Sequence, residues 1–240
     1  MTSEIVKSDP AARVLREKLD EKWEANAPVL AIDEGSGRTL ASTIILAKRY
    51  GGTGTSTLAL ILEFLMRQEA LIIEIGGNRC PALSNRVEGR YAHFSSHDEG
   101  RIEHAMDFRL AHPERAAILE FEPALYTETL SLAAKMSDLD AGFAPTIFYI
   151  CARHELQPRY ERNAIARKIA QTFICQPAAR GLAADKQEGL YVPWLDRSIT
   201  GALWTDSADL HDALKKCTGS WTLQETRHNL ETFLKAILAR

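Results

Sequence analysis

The chain has 240 residues, 45% of them hydrophobic and 25% charged, with a formal net charge of −3. That length suits one large α/β domain or two small ones, leaning to one, and buries roughly 70–75% of the unfolded surface without covalent staples. The charge excludes a molecule drawn as a whole to nucleic acid or to an anionic membrane, so any such binding has to come from a local patch. Cys80, Cys151, Cys175 and Cys217 are widely spaced and form no C-x-x-C pair, so free thiols are expected rather than zinc or redox chemistry. No apolar run reaches the ~18 residues of a membrane span, and the first residues lack a signal-like apolar core. A cytoplasmic location is expected.

Residues 9–26 predict a helix, with Ser8 or Asp9 as cap, Pro10 at its first position, and Ala12, Leu15, Leu19 and Trp23 on one apolar stripe. A turn-rich connector, 32–38, separates it from the rest, so residues 1–38 are expected to form a helical extension and 39–240 the main domain. Strand and helix signals then alternate. Strands are predicted at 42–47, 70–75, 116–121, 146–152 and 189–195. Helices are predicted after the glycine turn at 51–54, over 101–111 and 128–137, over 161–173, and around 206–216 and 222–239. Short apolar strands alternating with longer helices predict a doubly wound, mainly parallel sheet flanked by helices. The stretch 91–100, with His93 and His97, reads as a solvated loop rather than a metal site. Residues 153–168 form a locally basic stretch diluted by Glu155 and Glu161, read as a solvated helix.

The chemistry concentrates at Gly51-Gly52-Thr53-Gly54-Thr55-Ser56-Thr57, between a strand and a helix. Glycines let backbone N–H groups curl round an anion, and the helix N-terminus adds about half a positive charge. Ser56 or Thr57 offers a hydroxyl to Mg²⁺ or to a phosphate oxygen. Position 55, where a phosphate loop carries lysine, is threonine; Lys48 and Arg49, at the strand end, are the nearby cations that could fold back. Glu120 and Glu122 alternate with Phe121, so both face one side of their strand.

This loop resembles the KGGxGK[ST][ST] loop of the ParA/MinD branch of P-loop ATPases, with Tyr50 at the branch's signature lysine and Thr55 at the general one. Residues 71–78 resemble the family's second-strand segment, with Glu74 at its first aspartate and Gly76 at its second. Residues 116–125 resemble the Walker B strand, with Glu120 at the aspartate. Residues 189–203 resemble the segment beside adenine, which brings in Pro193. The resemblance implies a P-loop NTPase-like fold, and a cofactor site for ATP or ADP with Mg²⁺ formed by residues 51–57, Glu120 and Pro193. With both lysines and the second aspartate gone, it implies weak binding or none, and a pseudo-ATPase without catalytic residues. A scaffold or positioning factor in a bacterial complex follows, serving DNA partition or transfer or an envelope or secretion machine. It would assemble with itself or with protein partners and be recruited where such a complex meets the membrane. Nucleic acid is the weaker partner. The alternative is a working nucleotide switch or ATPase with replacement residues in the loop.

Overall fold

The computed structural model describes residues 43–66, 70–84, 89–139, 145–152, 171–176, 190–205 and 209–238. The expected helix at 9–26, its connector and the basic stretch 153–168 lie outside them.

Seven strands form one sheet: β1 (Thr43–Lys48), β2 (Leu71–Gly76), β3 (Tyr91–Ser95), β4 (Ala117–Phe121), β5 (Thr146–Ile150), β6 (Gln171–Gln176) and β7 (Leu190–Tyr191). Their order is β3-β2-β4-β1-β5-β6-β7, and every pairing is parallel. From β1 the chain steps outward to β2 and β3, then returns past β1 to build the other half. The sheet therefore reverses direction beside β1, and ligands of such sheets collect at the carboxyl ends of the strands at that point. This is a doubly wound, all-parallel α/β architecture, as the alternation of strand and helix signals predicts.

The central strands are continuous apolar runs because both their faces are covered. On one face Ile44, Leu46, Ile72, Ile118, Phe148 and Ile150 meet helix α1 (Thr55–Leu65) and three later helices, α5 (Arg197–Thr205), α6 (Leu210–Lys216) and α7 (Ser220–Leu238). A one-turn helix, α2 (Pro81–Ser84), also packs there through Leu83. The other face, with Ile45, Ile73, Leu119 and Ile147, is covered by α3 (Arg101–Leu110) and by α4 (Tyr126–Leu139). Helix α1 is apolar nearly all round: Leu58, Leu60, Ile61, Leu62 and Leu65 are all at most 1% exposed. Each such side chain contributes about 1.5–3 kcal/mol, so α1, and the loop that precedes it, are fixed by burial rather than by helix propensity. Its one inward acid, Glu63, is paired with Arg90 at 3.3 Å. At the amino end of the sheet Arg109 is fully buried and donates to Thr43 Oγ1 and to the His112 carbonyl; burial lowers its guanidinium to about 10.

Three expectations need correction, and one helix adds to them. Residues 91–95 are a strand, not loop; lying at the sheet edge they are only half-buried, which dilutes the apolar signal. Residues 171–176 are a strand, although a helical pattern runs through 173 in the sequence; Thr172, Phe173 and Ile174 pair with β5 instead. The last strand is two residues long rather than seven. Val192 N–H still donates to the Gln176 carbonyl at 3.0 Å, but Pro193 has no N–H with which to extend the ladder. Helix α5 was unexpected; Asp196 starts it by accepting from the Ser198 N–H and hydroxyl, both at 2.9 Å. All four cysteines are free, with Cys151, Cys175 and Cys217 buried and Cys80 half-buried. Among the described residues no helix is long and apolar enough to cross a membrane.

Candidate functional site

Strand β1 ends at Lys48, and the loop that follows delivers the chain to α1 at the reversal point of the sheet. Gly52 and Gly54 have φ of +70° and +90°, a backbone region that side chains disfavour. A Cβ at Gly51, Gly52 or Gly54 would meet nothing within 4 Å. These glycines are thus not spacers for close packing; two set the curve of the loop, and all three leave open space on it. Gly54 caps α1 with no side-chain hydrogen bond, and no acidic residue lies in the first turn of the helix. The positive end of α1 therefore has no compensating cap or acidic side chain of its own helix. Thr53 is 5% exposed, and its hydroxyl has no hydrogen-bond partner, a polar group that burial makes costly to leave unpaired.

Beneath the loop lies a compact polar set. Because side chains alternate along a strand, Lys48 shares the face of Ile44 and Leu46 and reaches under α1, whereas Arg49 turns onto the Tyr126 ring, 5.8 Å from its centroid. The Lys48 Nζ donates to Thr55 Oγ1 at 2.6 Å and to Glu120 Oε1 at 2.9 Å. Thr55 and Ser56 hydroxyls donate to the same oxygen at 2.7 and 2.9 Å. Glu120 is only 3% exposed, and its Oε2 is buried with no partner. Lys48, seven residues before Thr55, thus places an ammonium directly beneath the loop. Lys48 and Arg49 are both candidate cations in the sequence, and the alternation rule, applied to 48 against 49, separates them.

A second carboxylate stands next to the first. Glu74 is paired in register with Glu120 across β2 and β4. It accepts from the Cys80 N–H with both oxygens at 3.0 Å, and Oε2 also accepts from the Tyr91 hydroxyl at 2.6 Å. Burial raises its proton affinity, and the nearby Glu120 adds to this, while the hydrogen bonds from Tyr91 and Cys80 pull the other way; the net shift is upward. Burial likewise raises Tyr91 and Cys80. Ser56 draws the Cys80 thiol back down, a smaller influence than the burial that raises it.

Gly76 leaves room that Glu122 fills. A Cβ on Gly76 would lie 3.3 Å from Glu122 Cβ and 3.5 Å from its Oε2. Glu122 Oε2 accepts from the Gly77 N–H at 2.8 Å. Partial burial pushes the Glu122 carboxyl up, but Gly77, Ser96 and the charges of His97 and Arg101 outweigh it, so the net shift is downward. His93 sits on β3 and donates through Nε2 to the Gly76 carbonyl at 3.0 Å. Among the described residues no group of three or more histidine, cysteine or acidic side chains is placed to hold a metal ion.

Of the residues singled out in the sequence, the structure joins Thr55, Ser56 and Glu120 directly and sets Gly51, Gly52, Thr53 and Gly54 around them. Thr57 lies on the same first turn but outside the hydrogen-bond set on Glu120. Pro193 is buried just past β7, with β5 and β6 standing between that strand and β1. Cys80 and Tyr91 gave no sequence signal, because each is recruited by position relative to Glu74 and not by a motif.

No protein-family model and no curated protein sequence matches the chain. Among solved structures, the chain is similar to a protein of Borrelia burgdorferi B31 described as a plasmid partition protein and crystallised with AMPPNP. The two share 14% identity and a TM-score of 0.49, over 81% of this chain and 99% of that one.

Proposed function

We propose that this chain is a ParA/MinD-like nucleotide-binding protein that holds ATP or ADP by its phosphates at residues 51–57. It serves as a scaffold or binding switch in a bacterial macromolecular complex rather than as an efficient ATPase. The observation that carries this is the Lys48 ammonium, 2.6 Å from Thr55 Oγ1 directly beneath the loop. It supplies the positive charge that the loop's own residue lacks, while the open face at Gly51, Gly52 and Gly54 leaves the backbone cradle accessible. Among the described residues Thr53 Oγ1 is also without a hydrogen-bond partner, but it is buried, so a phosphate oxygen meets it only if the loop opens.

Efficient turnover is a different demand. Phosphoryl transfer depends on charge placed around the moving phosphoryl group and on an oriented attacking water. Lys48 is anchored to Glu120 on the floor of the site, and no carboxylate stands on the second strand at Gly76. Binding without rapid hydrolysis suits a protein whose product is an assembled state, with self-association or a protein partner reading the occupied loop.

Calorimetric titration with ATP and ADP tests this. A Kd on the order of micromolar, about −8 kcal/mol, is expected for the full chain, with phosphate release no faster than that of a Gly54→Val variant, whose loop is strained. No measurable binding of either nucleotide would overturn the nucleotide reading. Sustained turnover above the variant would replace the scaffold by an ATPase.

A further inference from the structure

In phosphate-loop sites, Mg²⁺ is held beside the phosphates by a hydroxyl at the start of the loop helix and a carboxylate at the end of a neighbouring strand. Both kinds of group are present here, but both are already engaged: the Glu120 carboxylate by the Lys48 ammonium, and the Ser56 hydroxyl by that same carboxylate. Lys48 Nζ lies 2.6 Å from Thr55 Oγ1 and 2.9 Å from Glu120 Oε1, and Ser56 Oγ donates to that same carboxylate oxygen at 2.9 Å. Mg²⁺ requires oxygen ligands at about 2.0–2.1 Å in near-octahedral arrangement. It cannot share Glu120 Oε1 with Lys48 without bringing two cations into contact in a mostly buried pocket, where their repulsion is weakly screened. The Lys48 side chain is only 12% exposed. Glu120 Oε2 is unpartnered but buried, so an aqueous ion reaches it only if the packing around the carboxylate opens.

The rest of the site points the same way. Gly76 offers no ligand, and Glu122 above it is engaged by the Gly77 N–H, Ser96 and the charges of His97 and Arg101. Glu74 is turned onto Cys80 and Tyr91. The donor set does not fit a bound magnesium ion.

We propose that phosphate binding at this loop is metal-independent, with Lys48 as a tethered counter-ion in the place of Mg²⁺. The inference rests on the loop being a nucleotide site, and the experiment separates the two. The full chain is titrated with ADP by calorimetry, once in excess EDTA and once in excess Mg²⁺. The expected result is a Kd that differs by no more than about threefold between the two conditions, and a Lys48→Met variant weakened by about tenfold or more in EDTA. A Lys48→Met/Glu120→Gln variant, which leaves no unpaired buried carboxylate, is expected to fold and to show the same loss in EDTA. Wild-type binding seen only with Mg²⁺ would overturn the metal-independent site and leave the nucleotide site standing. Undiminished ADP binding by the double variant in EDTA would overturn it too. Absence of binding in both conditions would remove both.

Discussion

Glu120 and Glu74 occupy the same level of two adjacent parallel strands, face the same side of the sheet, and are 3% and 7% exposed. Their burial is resolved in opposite ways. Glu120 faces the loop and is matched by an ammonium and two hydroxyls, so its negative charge has a partner of opposite sign. Glu74 faces the outer half of the sheet and, among the described residues, accepts from neutral donors, Tyr91 and the Cys80 N–H; burial outweighs these and the nearby His93 and pushes it toward its protonated form. The difference shows which half of this polar floor is built around charge and which around hydrogen bonds. The charged half lies at the reversal point of the sheet, beneath the glycine loop.

That contrast can be broken from either side. Lys48→Met leaves Glu120 buried without a counter-charge and should cost about 3–5 kcal/mol in urea-induced unfolding, as for other buried pairs that lose one partner. A loss below about 1 kcal/mol would mean that Lys48 and Glu120 are not coupled. Tyr91→Phe removes one neutral donor from Glu74 and should cost less, about 1–3 kcal/mol, without changing nucleotide affinity. If it matched the effect of Lys48→Met, the two halves would not differ in kind.

The smallest effect is on pH dependence. A carboxyl whose folded-state proton affinity is raised adds stability in acid that is lost as pH rises through its folded pKa, and Glu74 is such a group. Glu122 is the reverse: its lowered pKa adds stability above the ordinary carboxylate value of 4.5 that is lost as pH falls through the folded pKa. In denaturation midpoints measured from about pH 3 to 7, Glu74→Gln should raise stability at neutral pH relative to acid, and Glu122→Gln should flatten the acid limb. Parallel shifts of the whole curve by either variant would contradict these assignments.

The sequence by itself determined the sheet's central strands and the loop between β1 and α1. Both rest on local rules: continuous apolar runs for strands covered on both faces, and glycines where the backbone turns left-handed. It also put Glu120 at the carboxyl end of its strand. It did not determine β3 and β6, because an edge strand carries little apolar contrast and because a helical period happened to run on into 171–173. Nor did it decide the chemistry of the site. Thr55 reads as a lost cation when the loop is taken alone, and only the alternation of Lys48 and Arg49 at the end of β1, together with the parallel placement of β4 beside it, brings a cation back beneath the loop. Tyr91 and Cys80 reach Glu74 the same way, across neighbouring strands and turns. Local conformation follows from local sequence, but which charges meet in a buried pocket depends on strand order and register, which bring together residues as far as 72 positions apart.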